Sequence, residues 1–81
     1  MTIEQMLEKL ERDKEDTERV RKECYLKTCE MLLELKEDFY LTGVLDDTMK
    51  RKYDSLACQE RMACAKLESI VTAIDEIKKR L

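Results

Sequence analysis

Apolar residues recur at alternating steps of four and three through the second half of the chain. The series runs Met49, Tyr53, Leu56, Glu60, Ala63, Leu67, Ile70, Ile74, Ile77 and Leu81, and Glu60 is its one polar member. This spacing is that of the a and d positions of a helix that packs lengthwise against another helix. A seam of more than four heptads needs other helices to cover it, and the rest of the chain supplies only one.

The break between the helices is predicted at Thr42–Thr48, which holds the only glycine of a chain without proline. Gly43 can adopt the left-handed conformation that ends a helix, and Val44 supplies the apolar residue that often follows. Asp46 or Asp47 can cap the next helix, and Thr2 with Gln5 has the form of a capping box at the start of the first. These signals predict helix one over about 3–41, a turn over about 42–46 and helix two over about 47–81.

The predicted fold class is all-α: an antiparallel two-helix hairpin, coiled-coil-like, forming a single domain over residues 1–81. A connection this short makes the two helices neighbours. A hairpin of 81 residues buries little surface by itself, so we expect oligomerisation to complete it into a helical bundle. The core seam is predicted from the heptad series of helix two, and its members are Leu56, Ala63, Leu67, Ile70, Ile74 and Ile77.

Helix one divides into a charged part and an apolar part. Residues 8–23 are charged except at Leu10, Thr17 and Val20, and the two signs nearly cancel. Such a segment is either a solvated helix carrying i,i+4 ion pairs or a segment that becomes ordered only on a partner.

Residues 24–35 carry apolar side chains around more than one face of the helix. Only one face can meet helix two, so the remainder faces solvent or another chain, and a contiguous exposed patch favours another chain. The predicted partner-binding residues are Tyr25, Leu26, Leu32, Leu33 and Phe39, flanked by Met62 on helix two.

The basic run 50–52 opens helix two, where the helix dipole disfavours cations. One interpretation is that Glu34, Glu37 and Asp38 pair with it across the turn. The other is that it forms a basic docking patch.

The four cysteines, Cys24, Cys29, Cys58 and Cys64, lack zinc-site spacing, and the chain has no histidine, so no metal site is predicted. Mirror placement about the turn leaves a two-disulfide staple open. The step from Cys24 to Cys29 rotates the side chain by about 140° around the helix, and the step from Cys58 to Cys64 rotates it by about 240°. The two cysteines of one helix therefore cannot both face the other helix, which favours free thiols, with Cys58 outermost.

Catalysis has little support in this sequence. There is no histidine, no glycine-rich phosphate loop and no nucleophile motif, so we predict no enzyme activity, no catalytic residues and no cofactors. The net charge of −3 argues against binding to nucleic acid or to anionic membranes. Without a signal segment or an apolar run near 18 residues, the expected location is the cytoplasm.

The last two-thirds of the chain resembles the small co-chaperone subunit of type III secretion needles. The shared features are Leu32-Leu33-x-Leu35-Lys36-x-Asp38, the glycine-bearing turn, Asp46 and Asp47, Tyr53, Gln59-Glu60, and Lys66-Leu67-Glu68-Ser69 before an end rich in isoleucine, valine and alanine. The chain departs from that family in its longer charged N-terminus and in its four cysteines.

The resemblance implies a cytoplasmic hairpin that stabilises a larger helical-repeat chaperone and helps to keep the needle subunit soluble. The expected partners are therefore proteins: a homodimer when the chain is alone, or a heteromer with the chaperone. Two alternatives remain open, namely a self-associating dimerisation or scaffold module and a mobile-element protein that binds and inhibits a host factor.

Overall fold

The computed structural model describes all 81 residues, and it consists of two antiparallel α-helices. Helix α1 runs Ile3–Thr42, helix α2 runs Asp47–Lys79, and together they form a rod of 60 × 16 × 14 Å. The prediction of an all-α helical hairpin is confirmed. Helix α1 ends one residue later than expected, and helix α2 ends at Lys79 rather than continuing to residue 81.

The start of α1 is capped by two reciprocal hydrogen bonds between Thr2 and Gln5. The backbone amide of Gln5 donates to Oγ1 of Thr2 at 3.1 Å, and the amide of Thr2 donates to Oε1 of Gln5 at 3.0 Å. This reciprocal arrangement confirms the predicted capping box and satisfies two amides that a bare helix end would leave unpaired.

The turn is built on one glycine and one aspartate. Gly43 has φ of 71°, the left-handed conformation predicted for it, and its amide donates to the carbonyl of Phe39 at 2.8 Å. Asp46 caps α2 by accepting from the amide of Met49 at 3.0 Å. Val44 stays 68% exposed, so the apolar contact that often accompanies such a turn does not form.

Helix α2 turns its heptad series toward α1. Within the predicted core seam, Ala63, Ile70 and Ile74 are buried, and the other three members are half-buried: Leu56, Leu67 and Ile77. Glu60 is half-buried in the same series, so a carboxylate interrupts the seam near its middle.

Helix α1 meets that seam with a mixed edge of small, polar and apolar residues. Its most buried members are Thr17, Cys24 and Thr28, and Oγ1 of Thr28 donates to the carbonyl of Cys24 at 2.7 Å. They belong to a series with steps of three and four, whose members are buried or half-buried: Leu7, Leu10, Lys14, Thr17, Arg21, Cys24, Thr28, Met31, Leu35 and Asp38. Residues 8–23 are thus a helix with one packed edge, which the interpretation as a wholly solvated segment missed.

The core is thin for a chain of this length. Six residues are buried and none of the large side chains is completely enclosed. The accessible surface is 6478 Å², whereas a compact monomer of this mass exposes about 5,100 Å². The radius of gyration is 18.1 Å, against about 12 Å for a compact domain of this length, because two helices provide no third layer.

Ion pairs contribute little to joining the helices. One pair crosses between them, Lys78 with Glu11 at 3.8 Å. Only one pair forms within residues 8–23, Asp16 with Arg19 at 3.3 Å. The i,i+4 pairs predicted for that segment are therefore absent.

The predicted pairing across the turn is wrong as well. Lys50 pairs with Asp54 of its own helix at 3.1 Å, and none of the predicted acidic partners in α1 reaches the basic run. Glu34 and Glu37 are exposed on the outer side of α1, while Asp38 lies at the seam. Exposed pairs of this kind contribute at most about 1 kcal/mol each.

Candidate interaction surface

The largest apolar residues of α1 lie outside the hairpin core. Tyr25, Leu26, Leu32, Leu33 and Phe39 are between 46% and 60% exposed, and Tyr40 is 74% exposed. We call these six residues the outer stripe. The packed edge of α1 mixes threonine, cysteine and charged groups with half-buried apolar ones such as Leu10, Met31 and Leu35, whereas the outer stripe holds only leucine and aromatic groups. Burial of the apolar part of α1 is therefore left incomplete by the hairpin itself.

The outer stripe follows a heptad repeat of its own. Tyr25, Leu32 and Phe39 are seven residues apart, as are Leu26, Leu33 and Tyr40. At about 100° per residue, the six side chains lie between about 60° and 200° around α1, measured from the direction of Cys24 toward α2. The stripe extends about 22 Å along the helix. Tyr40 was not among the predicted residues, although the seven-residue recurrence would have included it.

Tyr25 lies at the edge where the outer stripe approaches α2. The neighbouring Cys29 side chain raises the pKa of Tyr25 above its ordinary value, chiefly by a hydrogen bond, and desolvation and the carboxylate of Glu60 add to it. Farther along, Lys36 Nζ lies 5.7 Å from the ring centre of Tyr40, a cation–π contact that keeps the ammonium on the stripe.

Met62 lies on the other side of the hairpin. It borders a groove of about 480 Å³ that also contains Val20, Cys24 and Ala63, with Asp16 and Lys66 at its rim. Val20 projects roughly opposite to the middle of the outer stripe around α1. Met62 therefore does not flank the five predicted residues of α1, and the expectation of one continuous surface is wrong on this point.

Charged groups border the outer stripe in an ordered way. Glu23, Glu30 and Glu37, spaced by seven, follow the edge that faces away from α2; we call them the acidic row. All three are exposed, and none forms a salt bridge within the hairpin. Sequence reasoning missed the row because it treated the charges of α1 one segment at a time instead of by heptad position.

Cations close the N-terminal end of the outer stripe. Arg21 and Lys22 border a hollow of about 350 Å³ together with Tyr25 and Leu26. The Nε atom of Arg21 is buried and has no hydrogen-bond partner. The stripe thus has a cationic end and an acidic long edge.

The four cysteines are free thiols in different surroundings. Cys24 is buried, Cys64 is half-buried, and Cys29 and Cys58 are exposed. Cys58 has the outward position predicted for it, and Cys29 shares that exposure because it lies on the outer face of α1, between the two heptad series of the stripe.

Labelling of the native protein with a small thiol reagent should therefore modify Cys29 and Cys58 first. Cys64 should follow more slowly, and Cys24 should react only as the hairpin opens, because access to the sulfur limits each reaction. Mass spectrometry of peptides from partly labelled protein measures the order. Early labelling of Cys24 would contradict the packing of the two helices described above.

No group of three or more cysteine, aspartate or glutamate side chains is arranged to hold a metal ion. No helix contains a stretch that is both long and apolar enough to cross a bilayer. The outer stripe with its charged borders is the candidate functional site, because it combines exposed large apolar side chains with unpaired charges.

No family model matches the chain, and neither a curated protein nor a solved structure matches it.

Proposed function

We propose that this chain is a non-enzymatic protein-interaction module that docks onto a helical partner through the outer stripe. The observation that carries the proposal is the exposure of large apolar residues along the outer face of α1. The helix packs Thr17 and Thr28 against α2 and leaves Leu26 and Leu33 at 60% and 57% exposure. A monomer gains nothing from this arrangement, whereas a partner helix would remove both leucines from water.

Within that class, the specific role we propose is that of a cytoplasmic co-chaperone. The chain would stabilise a larger helical-repeat chaperone and help it to hold a secretion needle subunit soluble. The support is the resemblance of residues 32–38 and of α2 to the small co-chaperone subunit of type III secretion, together with the hairpin shape. A thin core agrees with this role, because a subunit of such an assembly completes its core only on its partner.

Self-association is the second candidate, and the heptad spacing of the outer stripe favours it. Two copies that meet along this surface would form a four-helix arrangement, serving as a scaffold or a dimerisation module. The two candidates use the same surface, so binding of a partner would dissolve the homodimer.

Co-expression of the chain with a candidate helical-repeat chaperone tests the proposal. Size-exclusion chromatography with light scattering should show a heteromer and, for the chain alone at high micromolar concentration, a homodimer. A chain that stays a well-folded monomer under both conditions would contradict both forms of association.

A further inference from the structure

We propose that the outer stripe receives an amphipathic helix of a different protein, with lysine or arginine along the edge that meets the acidic row. This inference rests on the proposed function and names the chemistry of the partner. A second copy of the chain is the competing occupant, and the charges around the stripe disfavour it.

The shape of the surface specifies a helix. Its apolar residues recur every seven positions in two parallel series, and both series cover the same stretch of about four turns of α1. This is the spacing at which side chains of one helix insert between those of a neighbour lying nearly parallel to it. An extended strand would instead require a two-residue repeat and a free sheet edge, which an all-helical hairpin lacks.

The charges specify the edges of that helix. The acidic row, Glu23, Glu30 and Glu37, is exposed and unpaired, so it can form three new ion pairs with a basic edge. The cationic end, where Arg21 and Lys22 border the hollow, can bind a carboxylate. A helix with a basic edge and an acidic residue at one end complements both features.

Neither orientation of a second copy has this complementarity. A two-fold axis perpendicular to the helices brings each edge of the stripe against the same edge of its copy, so the two acidic rows meet. A two-fold axis along the helices sets Lys36 of both chains at the same level in the middle of the contact. Like charges held together in this way favour a different partner over the homodimer.

Two synthetic helical peptides of about 21 residues provide the probe. They share one leucine and isoleucine heptad seam and differ only at the flanking positions, which are lysine in one and glutamate in the other. Fluorescence anisotropy of each labelled peptide, at concentrations where it is monomeric, measures its affinity for the full chain. Three exposed ion pairs predict that the lysine-edged peptide binds about tenfold more tightly in low salt.

Charge reversal identifies the residues responsible. In the triple variant Glu23→Lys, Glu30→Lys, Glu37→Lys, the glutamate-edged peptide should bind more tightly than the lysine-edged one, which inverts the order of the two affinities. A control triple variant, Glu4→Lys, Glu8→Lys, Asp75→Lys, changes the net charge equally at exposed positions away from the stripe and should preserve the order.

Equal binding of the two peptides, an unchanged order in the first triple variant, or no binding of either peptide would overturn the inference. Its failure is separable from that of the proposed function. If Leu33→Glu weakens both peptides equally while they bind alike, the stripe is a docking surface without charge selection.

Discussion

Replacement of Ile74 by aspartate should destabilise the hairpin severely and lower its melting temperature. Ile74 is 4% exposed, the lowest value among the apolar residues, and it lies where α2 packs on α1. The substitution removes the burial of an isoleucine and introduces a carboxylate with no partner, at a combined cost of about 4 kcal/mol. A small domain with a thin core has a total stability near the lower end of about 5–15 kcal/mol, so this cost consumes most of it.

Circular dichroism at 222 nm during thermal unfolding measures the effect. Val44→Asp is the matched control, because it introduces the same carboxylate at a turn position that is 68% exposed, and it should change stability by less than about 0.5 kcal/mol. Similar melting curves for the two variants would mean that the helices do not pack through α2 as described.

Replacement of Leu33 by glutamate should weaken association strongly while leaving the hairpin folded. Leu33 is 57% exposed and occupies the outer face of α1, so the monomer loses little when it changes. In a complex the same side chain would be buried. Its loss, together with the new charge, should make the free energy of association less favourable by at least about 2 kcal/mol. The expected result is a fall in affinity of about thirtyfold or more, for the heteromer and for the homodimer alike.

The matched control is Glu15→Lys, an exposed position of the same helix outside the outer stripe. It should alter affinity by no more than about threefold, because exposed charges far from an interface act mainly on the association rate. Sedimentation of each variant with and without the candidate chaperone gives the comparison. If both variants assemble like the wild type, the outer stripe is not the docking surface.

These two variants separate two surfaces that share one chain. Ile74 acts through the contact between α1 and α2, and Leu33 acts through the face of α1 that α2 leaves open. The separation follows from the geometry of a two-helix hairpin, in which each helix can present only one edge to the other. The remaining circumference of α1 is where the six residues of the outer stripe lie.

The local features of the fold could be predicted from the sequence. The capping box at Thr2, the left-handed Gly43 and the choice of Asp46 or Asp47 as a cap each depend on a few neighbouring residues. The heptad series of α2 is long and almost purely apolar, so its direction toward a neighbouring helix could be predicted from periodicity alone. Local bonding rules and a strong period together account for the hairpin.

The packed edge of α1 was decided only in the tertiary structure. The apolar content of the sequence indicated Leu26, Leu32 and Leu33 as contact residues. It did not determine whether the heptad series that contains them or the series of the packed edge would face α2. The continuous edge through Thr17, Cys24 and Thr28 is the one that is buried against α2, and packing over the full length of the rod selects it.

The sequence predicted most residues of the candidate site, but it predicted their relative positions only in part. Five of its residues could be named from the sequence, whereas the position of Met62 on the far side and the alignment of the acidic row depend on which edge of α1 is buried. That edge is a long-range property, because rotating α1 about its axis changes every exposed face at once while leaving each local helical signal unchanged.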